Sequence, residues 1–299
     1  MTAISIQGLS KRYGRFTAVR DLRLEVAEGE VFGFLGLNGA GKTTTIRVLL
    51  DLLRPSSGKA FIFGHDCQAD GIVARSQVGY LPGEMGIYSH LTGIEVLDFL
   101  GGIHRRATDR QRRRQLQERL ELPDSDLRRK LREFSTGMKR KLGLIQAFQH
   151  DPPLLILDEP TEGLDPLMQE SFYQLLTDTQ RRGRTVFMSS HVLSEVERVC
   201  QRIAVLRKGE LVLLSTVGET RRLAPRPVRV VFAEDAVAAS DFPRGVEVLE
   251  IKPRAWNLRV DGALGPLLKL LAGLPVLDIE VEEARLEDVL IQYYREGAR

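Results

Sequence analysis

An α/β fold with a smaller α+β domain behind it is what this sequence predicts, and three observations predict it. Short, wholly apolar runs alternate with segments of helical spacing, the rhythm of a largely parallel sheet covered by helices. One such run, Val31-Phe32-Gly33-Phe34-Leu35, leads straight into a glycine-rich turn and then a helix. Around positions 221–227 the texture breaks at Pro225 and Pro227, and a fresh set of strand-like segments begins.

Taken in order, Ile4 and Ile6 begin an alternating pattern that Leu22, Leu24 and Val26 repeat against Arg23, Glu25 and Ala27. With turns at Gly14 and Glu28-Gly29-Glu30, this predicts a small antiparallel layer ahead of the first buried strand. After the glycine turn, Ile46, Leu49, Leu50 and Leu53 fall at helical spacing until Arg54-Pro55 stops them. From about 92 to 150 the texture is helical. Thr92-Gly93-Ile94-Glu95 fits a capping box, with Leu97, Leu100 and Ile103 along one face. Strands return at 154–157, 185–188 and 203–206, separated by helical segments, and a Lys208-Gly209 turn folds the last back as a hairpin over 210–214. Beyond the proline break, 228–232, 246–251, 258–260 and 276–281 read as strands, while 267–271 and 286–294 read as helices. The expected domains are 1–220, with a helical subdomain at about 84–150, and an accessory α+β domain at 221–299.

Composition narrows the class. The chain has 299 residues, 43% hydrophobic and 28% charged, ordinary values for a globular protein of one large domain and one small. No apolar run approaches the ~18 residues of a membrane span, and the first residues lack the regions of a signal peptide. Cys67 and Cys200 are too few and too isolated for a disulfide framework or a metal cluster. These features place the chain in the cytosol or on the cytosolic face of a membrane. The net charge is +3, with basic density gathered at Arg105-Arg106, Arg112-Arg113-Arg114 and Arg128-Arg129-Lys130. Gln111, Gln115, Glu118, Leu116 and Leu120 interleave at helical spacing, which reads as a solvated helix face, with anionic lipid or a partner protein as the alternatives. Few aromatics lie there, so a stacking platform for single-stranded nucleic acid is missing.

The chemistry concentrates in Gly36-Leu37-Asn38-Gly39-Ala40-Gly41-Lys42-Thr43-Thr44, which fits G-x-x-x-x-G-K-[ST]. Glycines let main-chain N–H groups turn inward around a phosphate. Lys42 reaches the β- and γ-phosphates, and the Thr43 hydroxyl suits magnesium. Strand, loop and helix N-terminus together make an anion site for a nucleoside triphosphate. Leu154-Leu155-Ile156-Leu157-Asp158-Glu159-Pro160 is an apolar strand ending in two carboxylates that point to opposite faces. Beside a phosphate loop, Asp158 serves the magnesium and Glu159 an attacking water.

Together with Phe134-Ser135-Thr136-Gly137-Met138-Lys139-Arg140-Lys141, these segments resemble the nucleotide-binding subunits of ATP-binding-cassette (ABC) transporters, in that family's motif order, over about 4–215. The resemblance implies a P-loop NTPase core of the ABC ATPase type, ATP and Mg2+ as ligands, and ATP sandwiched between two protomers. Ser135 and Gly137 match the family's signature segment, while Phe134, Thr136 and Met138 depart from it. Physically, Ser135 caps a helix whose N-terminus points at a γ-phosphate, and Gly137 allows close approach. Gly163-Leu164-Asp165-Pro166 resembles the loop that crosses the dimer interface. His191, after Ser189-Ser190, resembles the switch histidine at the γ-phosphate, and Tyr13 the aromatic that stacks on adenine.

One departure stands out. Where the family has a glutamine that helps ligate magnesium and senses the membrane subunit, this chain reads Val78-Gly79-Tyr80-Leu81-Pro82-Gly83-Glu84, with Gly83 in its place. Glycine offers no side-chain ligand, so the magnesium keeps an extra water or recruits Glu84. Leu37, where proline is frequent, is a smaller change.

The implied function is a two-stroke clamp. Two protomers close on two ATP molecules, Glu159, His191 and Lys42 support hydrolysis, and the motion drives a separate integral membrane permease. One complete motif set favours a homodimer. The ending Leu286-Glu287-Asp288-Val289 with Tyr293-Tyr294 is similar to that of drug- or polymer-exporting members. The competing reading is a soluble ABC-type ATPase acting on nucleic acid or ribosomes. Such proteins carry two cassettes, a long coiled coil or zinc-binding cysteines, features this sequence lacks, so no nucleic-acid partner is expected.

Overall fold

The structure, a computed structural model, describes residues 1–84, 89–103, 109–223, 225–236 and 241–282. The expected helix over 286–294, with its Leu286-Glu287-Asp288-Val289 and Tyr293-Tyr294 ending, lies outside the described residues, as does Arg105-Arg106. Contacts divide the chain into two units, Met1–Leu214 and Ser215–Arg299, each with its own hydrophobic core.

The first unit opens with β1 (Thr2–Tyr13), β2 (Phe16–Ala27), β3 (Val31–Gly36), α1 (Lys42–Leu49), β4 (Ser57–Ile62), β5 (His65–Asp66), α2 (Gly71–Ser76) and β6 (Val78–Leu81). A helical stretch follows: α3 (Gly93–Ile103), α4 (Arg110–Arg119), α5 (Asp124–Leu127), a 3-10 turn at Leu131–Glu133 and α6 (Thr136–Phe148). The unit closes through β7 (Leu154–Asp158), α7 (Pro166–Arg181), β8 (Thr185–Ser190), α8 (Leu193–Val199), β9 (Arg202–Arg207) and β10 (Glu210–Thr216).

The central sheet has the order β10-β9-β3-β8-β7-β6. Strands β3, β8, β9, β7 and β6 pair in parallel, and β3, β7 and β8 are buried along their whole length. A strand covered by helices on both faces carries no polar alternation, which is why these segments read as unbroken apolar runs. The turn into β10 has Lys208 at φ 49° and Gly209 at φ 84°, the two positive values a tight two-residue hairpin turn requires.

The second sheet is antiparallel, of order β2-β1-β4-β5. Sequence reasoning placed this layer wholly ahead of the glycine loop. The structure instead completes it with β4 and β5 from beyond the loop. In β4 only Ala60 and Ile62 are buried, too short an alternation to announce a strand. The capping box at Thr92 forms as expected: the Thr92 N–H donates to the Glu95 carboxylate at 2.7 Å, and the Glu95 N–H to Thr92 Oγ1 at 3.3 Å.

The basic run on α4 departs from expectation. Arg114, Gln115 and Glu118 are exposed, but Arg112 and Arg113 turn inward. Arg112 donates to the Phe148 carbonyl and pairs with Asp151 at 2.9 Å, while Arg113 pairs with Asp98 and donates to Gln149. The Phe148 carbonyl at the end of α6 and the carboxylate of Asp151 recruit cations that a helical-wheel reading assigns to solvent.

The second unit contains α9 (Val217–Leu223), β11 (Arg226–Phe232), β12 (Val246–Lys252), β13 (Ala255–Val260), α10 (Gly265–Leu271) and β14 (Val276–Val281). Its antiparallel sheet, of order β12-β13-β11-β14, buries Trp256 against Phe232 and Phe242, with ring centroids 4.7 and 5.5 Å away. Its other face carries cross-strand charge pairs, Arg259–Glu247 and Arg229–Glu280.

Candidate functional site

The carboxyl ends of β3, β7 and β8 lie side by side, and the residues singled out in the sequence emerge there. Ligands of open parallel sheets sit at such an edge, where neighbouring connections diverge. The loop after β3 bounds a cleft of about 720 Å3. Asn38, Gly39, Ala40, Gly41, Lys42, Thr43 and Thr44 line it, with Tyr13, Asp158 and Glu159. Gly36 stands just behind, its carbonyl accepting a hydrogen bond from Lys42 Nζ at 2.6 Å.

Gly41 explains the loop's shape. Its φ is 109°, and a Cβ there would come 2.5 Å from the Ala18 carbonyl. As the residue before α1 it supplies no side-chain cap, so no side chain competes with an incoming anion for the first amides of the helix. A phosphate fits this cradle.

Lys42 and Asp158 are almost wholly buried, at 6% and 1% exposure. Thr43 Oγ1 donates to one oxygen of Asp158 at 3.0 Å and Ser189 Oγ donates to the other. A hydroxyl and a carboxylate this close are the hard oxygen donors that magnesium takes, so Thr43 and Asp158 fit the ion the family implies. Glu159 lies on the other side. Its Oε1 is 3.1 Å from Lys42 Nζ and its Oε2 is 2.8 Å from His191 Nδ1. The Glu159 main chain holds φ 50°, with its N–H donating to Ser189 Oγ at 3.1 Å. Thus Lys42, Thr43, Asp158, Glu159 and His191 form one connected network.

Tyr13 ends β1 beside the cleft, half exposed, with the Lys11 ammonium 5.1 Å from its ring centre. Directly across the hairpin stands Phe16, which also lines the cleft and which sequence reasoning passed over. Tyr80 was likewise missed as a site residue. Burial, and then the charge of Asp158, push its phenol up to about 12, so it stays protonated beside the carboxylate.

The remaining expected residues are placed elsewhere. Ser135 caps α6, accepting from the Met138 N–H at 3.2 Å, and Asp165 caps α7, accepting from the Met168 N–H at 3.0 Å. Gly137 packs where a Cβ would meet the Gly163 carbonyl at 2.9 Å. Among the described residues, neither Ser135, Gly137 nor Asp165 lines the cleft. Two further residues, one unmarked by any motif and one inside the signature segment but not singled out there, tie the site together. Glu195, buried on α8, accepts from Thr161 Oγ1 at 2.6 Å and Ser190 Oγ at 2.9 Å. Arg140, buried on α6, donates to the loops after β6 and β7.

Comparison with known proteins agrees with this geometry. The family model for ABC transporters matches residues 19–162. The bacitracin transport ATP-binding protein BcrA of Bacillus licheniformis is 37% identical over 308 aligned positions, covering 97% of each chain. An ABC transporter ATP-binding protein of Nostoc sp. is 39% identical over 208 positions, 69% of this chain and 62% of that one. Among solved structures, an ATP-binding subunit of an ABC transporter superposes with a TM-score of 0.68 at 30% identity, covering 74% of this chain and 92% of that one.

Proposed function

The chain belongs to the ATP-binding subunits of ABC transporters, and from that premise we infer the working cycle of its site. As a member it binds and hydrolyses ATP. The observation that carries the mechanism is Glu159 held between Lys42 and His191 at the end of β7, beside the phosphate loop.

In this cycle the adenine stacks on Tyr13, and the main-chain amides from Gly39 to Thr44 and the Lys42 ammonium hold the phosphates. Thr43 and Asp158 hold Mg2+, which supplies neutralising charge at the phosphate oxygens. Glu159 orients the attacking water and takes its proton, and His191 fixes the carboxylate and faces the γ-phosphate. Ser135, Gly137 and Asp165 lie away from this protomer's own cleft because they serve the cleft of a second copy. Two sites then close as a pair, and hydrolysis releases them.

The motion drives an integral membrane permease at the cytosolic face. Among the described residues no helix is long and apolar enough to cross a membrane. A relative matched over 97% of its length is named for bacitracin transport, and this supports export of a drug- or peptide-like compound. A nucleic-acid or ribosomal role gains nothing from these likenesses.

Glu159→Gln tests the reading. Purified from its native cells with ATP, it is expected to hold ATP, run as a dimer, bring down a membrane subunit and turn over at least ~100-fold more slowly. Wild-type turnover would remove Glu159 from its role, and capture of ribosomes or nucleic acid without a membrane protein would overturn the transporter assignment.

A further inference from the structure

Arg140 stands on α6, just past the cap Ser135, with 5% of its side chain exposed. Its Nη1 donates to the Pro82 carbonyl at 2.9 Å, its Nη2 to the Gly83 carbonyl at 2.7 Å, and its Nε to the Glu162 carbonyl at 3.1 Å. Nη1 also lies 3.5 Å from the Asp158 carbonyl. One guanidinium thus gathers main-chain acceptors from the loop after β6 and from the turn that carries Glu159. The nearest carboxylate, that of Glu162 at 3.6 Å, is 64% exposed, so the carbonyls are its principal partners.

Gly83 gives this arrangement its importance. A Cβ built there would lie 3.5 Å from Oδ2 of Asp158, so the loop runs close beside the magnesium-side carboxylate. Having no side chain, Gly83 cannot fix that contact itself. Only its main chain sets the spacing, and Arg140 is what grips that main chain. A planar fork with five donors suits several diverging carbonyls, whereas the single ammonium of lysine does not.

We propose that Arg140 is a positioning residue for ATP hydrolysis, locking the 82–83 loop and the Glu159 turn to the helix that Ser135 caps. The catalytic side chains are then in register only while α6 is seated. Because Ser135 serves a second protomer's site, seating of α6 there and alignment of Asp158 and Glu159 here become one event.

The inference rests on the ATPase reading, and the test separates the two. Full-length wild type, Arg140→Lys and Arg140→Met are compared well below their melting temperatures, by steady-state hydrolysis against ATP and Mg2+ and by equilibrium binding of a fluorescent ATP analogue. The expected result is a kcat at least ~10-fold lower in Arg140→Lys and lower still in Arg140→Met, because small displacements of reacting groups are costly. Analogue affinity and the KM for ATP stay within about twofold, while the Mg2+ midpoint rises several-fold. A kcat within twofold of wild type overturns the inference. So does a loss in which kcat, affinity and folded fraction decline together. A wild type without ATPase activity overturns the underlying reading as well.

Discussion

Lys42 shows how much one side chain is asked to do at this site. Its ammonium is buried, tied to the Gly36 carbonyl and paired with Glu159, so its methylenes pack and its charge is spoken for on two sides. Lys42→Ala removes the one flexible cation of the loop and leaves Glu159 with His191 alone. ATP affinity is expected to fall at least ~10-fold, about 1.4 kcal/mol, read by equilibrium nucleotide binding. Unaltered affinity would contradict the loop assignment. Every residue that touches phosphate or magnesium in the proposed cycle was legible in the sequence, because that chemistry demands fixed residue types at fixed spacing. Phe16, Glu195 and Arg140 were not. Their partners are a strand across a hairpin, two hydroxyls and a set of main-chain carbonyls, so no linear pattern announces their roles, even for Arg140 inside the signature-like segment.

Secondary elements carry a different kind of information. Periodicity identified the parallel strands because full burial leaves no alternation to misread, and it found α3 through its capping box. It erred on α4, where helical spacing assigned the arginines to a solvated face. Arg112 from α4, with Arg182 and Arg184 from the other side, converges on Asp151, joining α4 to the connection before β8. Burial works to raise the Asp151 pKa, but the Arg184 hydrogen bond and the charges of Arg112, Arg184 and Arg182 outweigh it, and the net shift is downward. A carboxyl depressed in the folded state stabilises fully above its ordinary pKa of about 4, and that stability is lost as pH falls below it toward the folded value. Asp151 holds φ 48°, which asparagine also tolerates, so Asp151→Asn isolates the charge. The expected cost is about 1–3 kcal/mol in urea unfolding at pH 7, with the variant losing less stability than wild type on acidification. Equal stability at pH 7 would make this cluster incidental.

Among the described residues, one core gathers around β1–β4 and the parallel sheet in the first unit, and another around Trp256 in the second. Every residue proposed to hold nucleotide belongs to the first. Calorimetry is therefore expected to resolve two transitions. Saturating Mg-ATP on Glu159→Gln should raise the one from the first unit, by about 2.7 kcal/mol at a hundred times the Kd, and leave the other in place. A single transition moving as one would show that the cores melt cooperatively. The sequence marked the change of texture between the units but not the job of the second, whose described strands carry a packed apolar face and charge ladders and, among the described residues, no reactive constellation.

Glu159 has both carboxylate oxygens engaged, one by an ammonium and one by an imidazole nitrogen. The ammonium that clasps it is also the one that meets an incoming phosphate in the proposed cycle. The same ion therefore has to leave the base in order to greet the fuel. In the proposed cycle this one shared cation acts as a toggle, resting on the carboxylate in the empty cleft and turning to phosphate in the loaded one.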